Sequence, residues 1–105
     1  MAEVVITEGH NGGVVTARVG DSVLLKLGEN PTTGFRWSLS AMDSHLLALT
    51  GDEFQPASAG IGGGGLRVFR FLTRSTGTAG IEVQLGRSWE SGDPKGLFRV
   101  RITVA

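Results

Sequence analysis

Apolar side chains along this chain recur at every second position far more than at the 3.6-residue spacing of a helix, the mark of strands with one face on a core. The last stretch shows it best: in Phe98-Arg-Val-Arg-Ile-Thr-Val104 the residues Phe98, Val100, Ile102 and Val104 point one way, while Arg99, Arg101 and Thr103 point to water. Ile81-Glu-Val-Gln-Leu85 and Phe35-Arg-Trp-Ser-Leu39 repeat the pattern. Arg67 to Thr73 fits with Phe69 and Phe71 inward, and Ser22 to Leu27 with Val23, Leu25 and Leu27 inward. Val4 to Thr7, Val14 to Val19 and Leu46 to Thr50 read as shorter, less regular strands. Leu39 to Leu49 is the one candidate helix, and its missing cap and short apolar stripe argue against it.

Glycine-bearing turns separate these runs, among them Asn11-Gly-Gly13, Gly20-Asp21 and Gly77-Thr-Ala-Gly80, where glycine supplies positive φ without steric cost. About seven or eight short strands at this spacing predict an all-β fold, an immunoglobulin-like antiparallel β-sandwich. Trp37, in the middle of a central strand, suits the core of such a sandwich. The cysteine pair and tyrosine corner of antibody domains are absent, since the chain has no cysteine and no tyrosine.

Composition narrows the function more by exclusion than by suggestion. A chain of 105 residues can enclose one hydrophobic core, so residues 1–105 are expected to form a single domain, with a monomer as the default. Ten basic residues balance ten acidic ones, which leaves no electrostatic footprint for nucleic acid or an anionic membrane. The absence of cysteine excludes a disulfide framework, a thiolate metal site and a cysteine nucleophile. No apolar run approaches a membrane span, and the start lacks the basic and apolar regions of a leader; the chain reads as cytoplasmic, or as exported if a leader has been removed. No cofactor is expected.

Three loops do not read as ordinary turns. In Asn30-Pro31-Thr32-Thr33-Gly34-Phe35 the proline fixes φ near −65° and holds Asn30 extended, while Gly34 permits a left-handed turn into the next strand. The result is a stiff loop with Thr32 and Thr33 at its tip. Gly62-Gly63-Gly64-Gly65 follows a disordered-looking Gln55-Pro-Ala-Ser-Ala stretch. It is no phosphate cradle, because Leu66-Arg-Val-Phe opens a strand where a P-loop needs Lys, Ser or Thr and a helix. Bare glycine backbone can instead approach another chain closely and offer main-chain hydrogen bonds. Arg87-Ser88-Trp89 opens a polar, turn-rich segment, a setting in which tryptophan and arginine serve as binding hot spots. Each loop has a plainer reading, as a sandwich corner, a floppy connection and a lid over the sandwich end. Alternate loops of a sandwich gather at one end, however, so the three together suggest a composite binding edge.

These motifs, in this order, are those of a known family: the chain resembles the chagasin-type inhibitors of papain-like cysteine peptidases. That family carries an Asn-Pro-Thr-Thr-Gly-Phe loop, a Gly-x-Gly-Gly loop and an Arg-Pro-Trp loop on an immunoglobulin-like sandwich. Here Asn30 to Phe35 is intact, Gly62 to Gly65 matches the second loop, and Arg87-Ser88-Trp89 departs from the third by a serine in place of proline. The resemblance implies a reversible, competitive inhibitor. Thr32 and Thr33 would cover the catalytic cysteine, the glycine loop would lie along the substrate groove, and Trp89, supported by Arg87, would pack beside the cleft. Ser88 leaves its loop freer than proline would, at a cost of a few tenths to about 1 kcal/mol in ordering.

An enzyme is disfavoured: His10 and His45 lie in separate polar segments with no triad or metal spacing, and His10 reads as an exposed turn residue. Asp52 and Glu53, if on a strand, face opposite sides and make a poor acid–base pair. The alternative is a non-inhibitory sandwich module that binds carbohydrate or protein through Trp89.

Overall fold

The computed structural model describes residues 2–30, 33–56, 64–87 and 95–105. Among them the alternating runs form eight strands: β1 (Glu3–Ile6), β2 (Val14–Ala17), β3 (Ser22–Glu29), β4 (Arg36–Met42), β5 (Leu47–Pro56), β6 (Gly65–Thr73), β7 (Gly77–Gly86) and β8 (Gly96–Val104). A single 3-10 turn, Glu8–His10, follows β1. The strands make two four-stranded sheets, ordered β1-β3-β6-β5 and β2-β8-β7-β4. Between the sheets lie Val23, Leu25 and Leu27 of β3, Phe69 and Phe71 of β6, Ile81 and Val83 of β7, and Phe98, Val100 and Ile102 of β8. These are the inward positions of the period-two pattern, and each such side chain contributes about 1.5–3 kcal/mol on leaving water. The architecture is the expected immunoglobulin-like sandwich.

Most neighbours are antiparallel, as expected, but the two short N-terminal strands pair in parallel, β1 with β3 and β2 with β8. Chain direction explains both. Successive strands reverse direction along the chain, so two strands an even number of places apart, such as β1 and β3 or β2 and β8, run the same way when they lie side by side. The turn between β2 and β3 closes the end away from the three loops. There the Asp21 carboxylate accepts the N–H groups of Ala2 (3.0 Å) and Arg18 (2.9 Å), and the Thr73 hydroxyl donates to the Arg18 carbonyl (2.7 Å). Gly20 holds φ at +93°, the left-handed conformation foreseen for that turn.

Three sequence expectations need correction. Gly77-Thr-Ala-Gly80 is not a turn but the start of β7, because Ala79 is fully buried opposite Ile102 and draws the segment into the sheet. Gln55 and Pro56 are the end of β5, paired with Leu66 and Gly65; proline is tolerated there because the strand is at a sheet edge. Trp37 lies on β4, an edge strand, and is half-buried against the core rather than enclosed in a central strand. Its aromatic face packs inward while its indole N–H serves a polar purpose described below.

Candidate functional site: one end of the sandwich

Strand order brings the three unusual connections to the same end. The β3–β4 connection crosses from one sheet to the other, β5–β6 is a hairpin of the first sheet, and β7–β8 a hairpin of the second. Register fixes their bases: Glu29 lies opposite Gly65 and Gly65 opposite Pro56, while Arg36 lies opposite Gly86 and Leu85 opposite Gly96. Of the candidate residues, Asn30, Thr33, Gly34, Phe35, Gly64, Gly65 and Arg87 are described; Pro31, Thr32, Gly62, Gly63, Ser88 and Trp89 lie outside the described residues.

The first loop is held by its own short-range bonds. The Asn30 carbonyl accepts both the Thr33 N–H (3.2 Å) and the Thr33 hydroxyl (2.8 Å), and the Thr33 hydroxyl oxygen accepts the Phe35 N–H (3.3 Å). Gly34 adopts φ +79°, the left-handed turn its position in the motif implied. The neck of the loop is tied from both sides. One oxygen of the Glu29 carboxylate accepts the Trp37 backbone N–H (2.9 Å), and the Trp37 indole donates to the Gly28 carbonyl (2.8 Å). On the outer edge of β3, the Gly28 N–H donates to the Glu8 carboxylate (2.7 Å), so a side chain closes an edge that β1 is too short to cover.

The glycines of the second loop divide into two kinds. Among the described residues a Cβ on Gly64 would meet nothing within 4 Å, which fits backbone open to another chain. A Cβ on Gly65 would lie 2.3 Å from the Gln55 carbonyl oxygen, 2.7 Å from the Phe54 ring and 2.8 Å from the Pro56 Cα. Gly65 is therefore a packing glycine inside β6, where the β5 backbone leaves no room for a side chain.

Beside it, Arg67 points inward with only a tenth of its side chain exposed. Its Nε donates to the second oxygen of Glu29 (2.8 Å), its Nη1 to Asp52 (3.1 Å), and its guanidinium lies 5.9 Å from the Phe54 ring centroid. Charge pairing and hydrogen bonds on both acceptors are what allow these ionised groups inside the sandwich end.

The third loop is joined to the first. Arg87 Nε donates to the Thr33 carbonyl (3.1 Å), and the same guanidinium sits 4.1 Å from the centroid of the Phe35 ring. Lys95, at the other base of that loop, places Nζ 5.7 Å from the same ring. Phe35 thus ends the first loop as an aromatic platform that takes a cation from each base of the third. Among the described residues no cluster of His, Asp and Glu is arranged to hold a metal.

Sequence reasoning did not single out Glu29, Arg67 or Lys95. The first two carried a signal: Arg67 shares strand parity with Phe69 and Phe71, and Glu29 with Leu25 and Leu27, so each is a charge on a core-facing position. Such a charge needs a partner. Lys95 carried none.

With this geometry in place, comparison with known proteins decides the family. The model of the chagasin family of peptidase inhibitors matches residues 16–104.

The chain belongs to the chagasin family.

Its function is accordingly inhibition of cysteine peptidases. It is 30% identical over 89 residues to Chagasin of Trypanosoma cruzi, covering 80% of this chain and 81% of that protein. Two solved folds superpose over nearly the full length. The cysteine protease inhibitor EhICP2 of Entamoeba histolytica has a TM-score of 0.88 at 21% identity, covering 100% of this chain and 97% of its own. Amebosin has a TM-score of 0.80 at 25% identity, covering 98% of each. Membership in the chagasin family accounts for the sandwich.

Proposed function

We propose that the whole chain acts as one inhibitor domain that occludes the active-site cleft of papain-like cysteine peptidases, reversibly and competitively, with the loops at residues 30–35, 62–65 and 87–89. Thr32 and Thr33 form the wedge over the catalytic cysteine, the backbone around Gly62 to Gly64 lies along the substrate groove, and Trp89 packs on the cleft's flank. The observation that carries this reading is the cross-bracing of the first loop: Arg87 from the third loop holds the Thr33 carbonyl and the Phe35 ring, and the loop's own bonds close on the Asn30 carbonyl. A wedge fixed in a tight turn before it binds loses little conformational entropy on entering a cleft. It also withholds the extended pose that would offer a peptide carbonyl to the nucleophile, so it occupies the site without being cut.

The chain performs no catalysis of its own in this reading. His10 is engaged as an acceptor of the Thr7 N–H (3.0 Å) in the 3-10 turn, and Asp52 and Glu53 are directed to different arginines, Arg67 and Arg70. The test is titration of papain activity against the purified protein, with Trp89→Ala and a Thr32→Ala/Thr33→Ala double variant alongside. Inhibition by the wild type that is competitive with substrate and weakened in both variants is expected. Absence of inhibition at micromolar protein would overturn the reading, and full potency in both variants would overturn the assignment of the loops.

A further inference from the structure

We infer that Glu29 and Arg67 form a positioning pair that holds the base of the first loop and the base of the glycine loop in one fixed relation, so that the affinity of the inhibitor depends on a buried ion pair that need not touch the peptidase. The inference rests on the inhibitor reading above. Glu29 closes β3 at the start of the first loop, and Trp37, which receives its other oxygen, opens β4 just beyond that loop's end. Arg67 lies just past the glycine loop, and Asp52 and Phe54, which hold its far side, lie on the strand that leads into it. The chain Trp37 N–H to Glu29 to Arg67 to Asp52 therefore runs unbroken from one loop's neck to both strands flanking the other, at distances of 2.9, 2.8 and 3.1 Å.

Burial makes the pair a lock rather than a surface tie. The Glu29 side chain is 1% exposed and both its oxygens are used, one toward each sheet. Any tilt of one loop's base against the other must break a bond to a buried carboxylate, which the interior does not replace with water. Glu29→Gln probes this directly. The amide has one acceptor and one donor group, so it cannot accept from Trp37 and Arg67 together, whichever way it is turned. Arg67→Lys is the companion, since an ammonium lacks the planar fork that reaches Glu29 and Asp52 at once.

The experiment measures the inhibition constant against papain for wild type, Glu29→Gln and Arg67→Lys. A control is a core truncation at the opposite end, Ile102→Val or Val104→Ala, chosen to match the loss of melting temperature. A loop unit populated only part of the time in its competent geometry raises the inhibition constant by the inverse of that fraction, and a rise of about tenfold is expected for Glu29→Gln. The stability-matched control should stay within about twofold of wild type, because it removes packing without loosening the loops. Equal inhibition by Glu29→Gln, Arg67→Lys and the matched control would overturn the positioning role while leaving the inhibitor reading intact. A wild type that does not inhibit would instead remove the reading on which the role rests.

Discussion

Alanine at Gly64 and at Gly65 should have opposite consequences, although the two are sequence neighbours of one residue type. At Gly65 the new Cβ would sit 2.3 Å from the Gln55 oxygen and 2.8 Å from the Pro56 Cα, both backbone atoms, and 2.7 Å from the Phe54 ring. A ring can turn; two strands held in register by the β5–β6 ladder cannot separate without losing hydrogen bonds. Overpacking of a fitted interior costs about 1–3 kcal/mol, and with backbone on two sides the upper figure, about 3 kcal/mol, is the expectation. At about 4–8 °C per kcal/mol for a domain of this size, Gly65→Ala should melt roughly 12–24 °C below wild type. At Gly64 the Cβ meets nothing within 4 Å among the described residues, and φ is not in the left-handed region. Gly64→Ala should therefore match the wild-type melting temperature or exceed it slightly, by the about 0.4–1 kcal/mol that alanine gains through a less disordered unfolded chain. Its inhibition constant should nevertheless rise under the proposed binding mode, in which the glycine backbone lies along the substrate groove and a methyl group would stand in the way. Thermal unfolding by circular dichroism and papain inhibition read the two effects separately. Equal melting temperatures for the two variants would refute the division between packing glycine and binding glycine.

Arg87→Ala removes a cation–π contact of about 0.5–1 kcal/mol and a hydrogen bond of about 0.5–1.5 kcal/mol from the first loop, and should weaken papain inhibition by about 5-fold up to about 60-fold, with whatever part of that energy does not appear in inhibition lowering the melting temperature. Arg87→Lys should fall between, and the Phe35 ring resonances of the free protein should shift in both; inhibition by Arg87→Ala within twofold of wild type would refute the brace. Asp21 offers a test at the other end of the sandwich. Hydrogen bonds from the backbone N–H groups of Ala2 and Arg18 hold its carboxyl below the usual carboxylate range. A depressed folded-state value means stability that is present at neutral pH and lost as pH falls through that value. Asp21→Asn should therefore lower the melting temperature at neutral pH and converge with wild type in strong acid. A gap that stays constant across the acid range would refute the linkage.

How much of this was legible in the sequence depended on whether the signal was a pattern or a meeting. Period two in Phe98 to Val104 and in Ile81 to Leu85 names the core directly, because every second side chain of a strand must face the same way. Gly34 was legible as a left-handed turn because its neighbours Pro31 and Phe35 leave few other uses for it. The errors arose where tertiary partners overrode local chemistry. Gly77-Thr-Ala-Gly80 has turn composition, yet one buried methyl at Ala79 and a full-length partner in β8 make it strand. Gly65 looked like its three neighbours because nothing in the run itself says that Gln55 and Pro56 will lie against it. Arg87 also bonds the Thr33 carbonyl and faces the Phe35 ring of the first loop, a meeting that the pairing of β4 with β7 creates and that has no local trace.

The arrangement of charges explains how a chain with no net charge and no disulfide holds together the strand ends that carry the three loops. Two braces of the loop end join segments distant in sequence, Glu29 to Arg67 within the first sheet and Arg87 to Thr33 between loops, while Glu29 to Trp37 ties the two sheets across the first loop. A bond of this kind closes a long segment of chain, and the entropy of closing grows only slowly with the length closed. A few long-range ties therefore fix the described bases of the loops relative to one another at little more cost than local ones would. Local bonds alone, such as those on the Asn30 carbonyl, would stiffen a tip without aiming it. An inhibitor that fills a preformed cleft needs aim as much as stiffness, because a wedge displaced by an ångström loses its contacts on both flanks. For the wedge proposed above, the aim would come from the buried carboxylate of Glu29, which lies on β3, bonds the Trp37 N–H on β4 and, through Arg67, reaches the strands that flank the glycine loop.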